Sequence, residues 1–180
     1  MQSGGCRLPT HVYVWYSTLE FTVYFCYHIA YGGTWVFYID KIIGDVDCVV
    51  ANVDDPYFWK GIDSTIFVYV KDHFNFPPCG QGQKQVVEIE RRLCWKLHNI
   101  VHPNWTMAIE YCDYQTLTCV TLYEICYDYF TQQVIANKIY TLATGDGDCE
   151  DIVPEMPPPG KTWEEEWYTD CFRTFCDYLP

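Results

Sequence analysis

Two glutamates set among apolar and aromatic neighbours, Glu110 in "MAIEYC" and Glu124 in "VTLYEI", are the first candidates for chemistry. A carboxylate turned into an aromatic interior is costly unless it meets a cation. Glu110 and Glu124 therefore point to recognition of an amine, with Trp105, Tyr111 and Tyr123 beside them as walls suited to cation–π contact. The alternative is that both face solvent or join a structural network. In "VVEIERR", Glu88 and Glu90 share one parity and Val87 and Ile89 the other, which reads as a charged face turned outward. Trp15, Trp35, Trp59, Trp95 and Trp105 fit a core better than a ligand box.

His98 and His102 in "HNIVH" would share one face of a helix and could hold a metal there. The surrounding run reads as strand and Pro103 follows, so the pair reads as surface histidines of one parity. "GDGDCED" places Asp146, Asp148 and Glu150 at alternate positions, like the start of a calcium loop. The sixth and twelfth positions are Asp151 and Pro157 where an EF-hand needs Gly and Glu, so a solvated acidic loop is expected. The chain has no Gly-x-Ser-x-Gly, His-Glu-x-x-His, phosphate-binding loop or dinucleotide fingerprint. The expectation is a protein without catalysis and without a cofactor.

Eleven cysteines, none spaced as Cys-x-x-Cys, point to an oxidising compartment and to bridges between distant segments rather than to zinc. The odd count leaves one thiol free, or paired to another chain, if all the others bridge. Asn104-Trp105-Thr106 is a glycosylation sequon, which suits a secreted protein. "MQSGGCRLPT" lacks the apolar region of a signal peptide and reads as a mature chain restarted with Met1. A net charge of -13 argues against nucleic acid and suits a cationic partner, either a protonated amine or a basic protein.

The elements that must position these residues read as strands. Residues 21–40 are uncharged up to Asp40, long enough for a membrane span. Yet Phe21, Val23, Phe25, Tyr27 and Ile29 alternate with polar residues, and Gly32-Gly33 supplies a turn, so a hairpin without membrane insertion is expected. Further runs, among them "DCVVANV" and "STIFVYVK", continue the pattern to residue 144 and read as an antiparallel barrel or sandwich over about 11–144. Residues 145–160 are acidic and rich in Gly and Pro, an irregular connector. Trp163, Trp167, Cys171 and Phe175 are spaced by four, which predicts a C-terminal helix over 161–177.

In order along the chain, "LEFTVYFCYHIAY", "DVDCVVANV", "WTMAIEYCDYQTLTCVTLY" and the ending "CEDIVP…DCFRTFC" resemble the lipocalins of tick saliva, the histamine-binding type. The resemblance implies a mainly β fold, an eight-stranded barrel closed by a C-terminal α-helix, with an interior wide enough for one small ligand. It also implies bridges from Cys48 to Cys171 or Cys176 and from Cys119 to Cys149, and an immune-modulating role. Gly33-Thr34-Trp35 is either the Gly-x-Trp opening of such a barrel or the turn after a first strand. The first expectation is a secreted carrier that sequesters a protonated amine or an amphipathic lipid. The second is an acidic, disulfide-rich β-sandwich that captures a basic host cytokine or chemokine on its surface.

Overall fold

The computed structural model describes residues 7–16, 19–80, 82–101 and 104–176, with backbone alone for residues 7–10, 12, 14–16 and 19. Met1–Cys6, His102 and the side chain of Trp15 lie outside the described residues, so the readings that fall on them are not addressed by the structure.

The chain is mainly β. Strands β1 (Arg7–Tyr16), β2 (Leu19–Ile29) and β3 (Trp35–Asp45) are followed by helices α1 (Val46–Asn52) and α2 (Pro56–His73). Then come β4 (Gln85–Arg92), β5 (Cys94–Ile100), β6 (Thr106–Tyr111), β7 (Thr118–Asp128) and β8 (Gln133–Thr144), with two short strands, β9 (Trp167–Tyr168) and β10 (Phe172–Arg173), in the tail. All ten lie in one sheet that does not close into a barrel. The β2–β3 hairpin follows the alternation of its sequence, and Gly32 and Gly33 hold φ of 84° and 82° in the turn, a region costly for any residue with a Cβ.

β3 organises the sheet. β2, and beyond it β1, flank one side of β3, while on the other side its first half pairs in parallel with β4 and its second half pairs antiparallel with β6. The sheet thus splits into two leaves, β4-β7-β8 and β6-β5, with β9 and β10 lying against β5. A parallel neighbour requires a crossover between the two strands, and α1 and α2 supply it.

The helices correct the expectation of strands at "DCVVANV" and "STIFVYVK". Asp55 caps α2 by accepting from the Tyr57 amide at 2.9 Å, and Pro56 opens its first turn. Phe58, Ile62, Ile66 and Val70, spaced by four, form with Trp59 the buried face of the helix. That face crosses the inner side of the sheet: Phe58 meets Phe21 on β2, Trp59 meets Trp95 on β5, and Phe67 stacks on Tyr123 of β7 at 4.3 Å. Trp59 and Trp95 are fully buried and Trp35 packs at the margin of the core, whereas Trp105 is half exposed. Burial of this stripe outweighs the β propensity of Thr65–Val70.

One buried ion pair joins the layers. Arg91 of β4 is 1% exposed and donates from Nε and a terminal nitrogen to both carboxylate oxygens of Asp63, at 2.9 and 3.2 Å. It also donates to Thr174 Oγ1 and to the Phe175 carbonyl, and its guanidinium lies 5.0 Å from the Trp59 ring.

No helix forms over 161–176, which corrects the expected C-terminal helix. The tail runs extended because its backbone pairs with β5, Tyr168 opposite His98 and Phe172 opposite Trp95, and because bridges pull it onto the sheet. Cys94 bonds Cys149, Cys112 bonds Cys171 and Cys119 bonds Cys176, and a fourth bridge, Cys79–Cys126, fastens the loop after α2 to β7. Cys26 is also disulfide-bonded. The expected partners are therefore corrected: Cys119 and Cys149 do not join each other, and Cys48 bridges neither Cys171 nor Cys176. Cys48 is a free, buried thiol on α1. Burial, with Asp45 and Asp47 nearby, pushes this thiol up, so it stays protonated and packs as a small apolar group. The bridges fit an extracellular or otherwise oxidising environment. No helix among the described residues is long and apolar enough to cross a membrane.

Candidate binding face

The inner side of the sheet is filled by the core; on the outward side Cys26, Val36 and Val120 are buried as well, and the side chains that meet solvent there lie toward β8. On β4, Val87 and Ile89 are buried against the core, and Glu88 and Glu90 point the other way, in agreement with their parity. Register extends each glutamate into a row across the sheet. One row runs His28, Val36, Glu88, Leu122, Tyr140, and the next runs Cys26, Tyr38, Glu90, Val120, Leu142. The two carboxyl groups are thus neighbours in an otherwise apolar and aromatic strip. At its outer end Tyr140 and Leu142 are 39% and 40% exposed.

Burial, then a hydrogen bond to Glu88 and repulsion from its charge, push Glu90 up to about 7, only partly offset by Arg92. Near neutral pH Glu90 therefore still holds a proton in part, on its hydrogen bond to Glu88. Beside it, burial and then Asp40 push the Tyr38 hydroxyl up. The ammonium or guanidinium of a partner could take the place of that proton and relieve the repulsion.

The other leaf carries a second polar group. Lys41 bonds Glu110 at 3.2 Å; His98 lies 3.4 Å from the same Glu110 oxygen and 2.7 Å from Glu166, and it stacks on Tyr168 at 4.0 Å. Burial works against the charge of Glu110, but Lys41 and His98 hold its carboxyl below the usual range. These groups satisfy one another, which makes the cluster a brace between β3, β6, β5 and the tail.

The residues singled out from sequence do not converge on one site. Glu110 belongs to that brace, and Glu124, on the other leaf, pairs with Lys84 at 2.5 Å. Tyr123 faces the core against Phe67, where burial and then Asp63 push its hydroxyl up, and Tyr111 packs at the core margin. Trp105 stands in the turn before β6 at φ 50°, next to the exposed Asn104. His98 meets carboxylates, and among the described residues no group of three His, Cys, Asp or Glu side chains is placed to hold a metal ion. Asp148 and Asp146 are tied to the Gln115–Thr116 turn, the first through its carboxylate and amide and the second through its backbone. Sequence parity found Glu88 and Glu90; it missed their apolar frame, which depends on the pairing of β3, β7 and β8.

No protein-family model, curated protein or solved structure matches this chain.

Proposed function

We propose that this chain is a secreted, non-catalytic capture protein that binds a basic protein, of cytokine or chemokine type, on the outward face of the β4-β7-β8 leaf. The observation that carries this reading is the Glu88–Glu90 pair, set in the apolar strip formed by Tyr38, Val120, Leu122, Tyr140 and Leu142. A lysine or arginine of the partner enters between the two carboxyl groups, and the exposed Tyr140 and Leu142 supply the apolar contact that anchors an interface. The net charge of -13 draws a basic partner in before contact and speeds its association. Phe130 and Tyr129, exposed at the tip of the β7–β8 hairpin, extend the same leaf.

The competing reading is a lipocalin-type carrier holding a protonated amine or amphipathic lipid. It needs an enclosed cavity lined by the aromatic residues, and Phe21, Phe25, Phe37, Phe58 and Trp59 are instead packed against one another. The open sheet also favours surface capture. Two experiments separate the readings: surface plasmon resonance against a panel of basic cytokines and chemokines, and native mass spectrometry with amines and fatty acids. Binding of a panel member that is lost in E88Q/E90Q supports capture. Retention of a small ligand with no panel member bound overturns it.

A further inference from the structure

β8 is twelve residues long and ends its leaf, pairing with β7 on one side and with no strand on the other among the described residues. Such an edge offers a row of unpaired N–H and C=O groups to any extended chain, and native proteins usually guard it. β8 is guarded over its first half. Tyr123 pairs with Lys138 and Leu122 with Tyr140, so Ile139 bulges out of register beside a lysine. From Tyr140 to Thr144 the ladder is regular and unguarded.

That unguarded half borders a cleft of about 390 Å³. Thr141, Leu142 and Ala143 form one wall, Arg173–Cys176 the other, with Leu93 between them and Asp151 at the rim. The size is within the range of ligand-binding clefts. Asp151 is largely exposed and meets Arg173 only at 3.8 Å, which leaves its carboxylate open to a second cation. β8 carries no acidic residue, so an incoming strand meets no repulsion at the backbone, while Asp146, Asp148 and Asp151 follow it in the chain. A second copy of this chain would bring a further charge of -13 to the same edge.

Resting on the capture reading, we propose that an extended basic segment of the partner adds to the free edge of β8 at Tyr140–Thr144. It lies in the cleft facing Arg173–Cys176. Main-chain hydrogen bonds to β8 give affinity, alternate apolar side chains cover Leu142 and Tyr140, and a lysine or arginine reaches Asp151.

The test uses a blocked decapeptide of alternating valine and lysine, and the same peptide N-methylated at every second residue, which keeps its charge and apolarity but removes its strand-pairing donors. Binding is read by calorimetry, and its place by amide hydrogen exchange. The expected result is binding of the first peptide, slowed exchange confined to β8 and its cleft, and no binding of the N-methylated peptide. L142K, at a residue 40% exposed, should weaken the peptide roughly tenfold, about 1.4 kcal/mol, with the melting temperature of the variant read alongside. Equal binding of both peptides, protection elsewhere, no binding, or a dimer that already protects β8 would each overturn the proposal. Because the peptide reads the edge without any partner protein, the two ideas fail separately. Loss of peptide binding with a panel protein still bound sinks strand addition alone, and the reverse result sinks capture alone.

Discussion

Replacing Glu90 by glutamine should make the protein more stable at pH 8 and leave it nearly unchanged at pH 5. In the folded chain Glu90 keeps its proton up to about pH 7, whereas in the unfolded chain it releases it near the ordinary value of 4.5. Between those values the folded state binds more protons than the unfolded one, so stability falls as pH rises. The favourable contribution is complete below about pH 4.5 and is lost as pH passes through about 7. At about 1.4 kcal/mol per pH unit the ceiling is near 3 kcal/mol. Glu90 is partly solvated, which reduces this to on the order of 1–2 kcal/mol. A glutamine at this position donates to Glu88 at every pH and takes no charge, so E90Q should escape the loss. For a domain of this size that corresponds to a melting temperature about 3–6 °C above wild type at pH 8. Urea unfolding of both proteins with the bridges oxidised, at pH 5, 6, 7 and 8, measures the difference. Parallel stability curves across this range would refute the raised proton affinity of Glu90.

Three further changes probe the frame that presents the face. D63A removes the Asp63 carboxylate from the buried Arg91 guanidinium and should cost about 3–5 kcal/mol in urea unfolding. G44A forces a methyl group to within 2.7 Å of the buried Phe21 ring. Its expected cost is about 1–3 kcal/mol, read as a lower melting temperature. Removing the Cys119–Cys176 bridge as C119A/C176A should cost about 2–5 kcal/mol and should raise proteolytic cleavage of the tail before the rest of the chain.

Local physics was legible where one element decides its own shape. The alternation from Phe21 to Ile29 and the glycine pair after it set the β2–β3 hairpin without help from the rest of the chain, and the parity of Glu88 and Glu90 against Val87 and Ile89 set their outward direction. α2 was harder to read. Asp55-Pro56 and the spacing of Phe58, Ile62, Ile66 and Val70 are helix signals, but Thr65–Val70 is rich in β-branched and aromatic residues, and burial against β2, β5 and β7 decides the outcome. The spacing of four from Trp163 to Phe175 pointed to a helix that two bridges and pairing with β5 prevent. Cysteine spacing does not encode connectivity, so Cys48 could not be recognised as a free thiol. The apolar frame of Glu88 and Glu90 and the sorting of Tyr123 to the core depend on pairings between distant strands, which no local pattern carries.

Capture of a basic partner at Glu88 and Glu90 is most directly tested by the kinetics of one binding member of the cytokine and chemokine panel, measured on wild type and E88Q/E90Q between about 50 and 300 mM salt. The predicted result is a wild-type association rate that falls steeply with salt and a dissociation rate that rises roughly tenfold in the double variant. An association rate indifferent to salt, with dissociation unchanged in E88Q/E90Q, would contradict it.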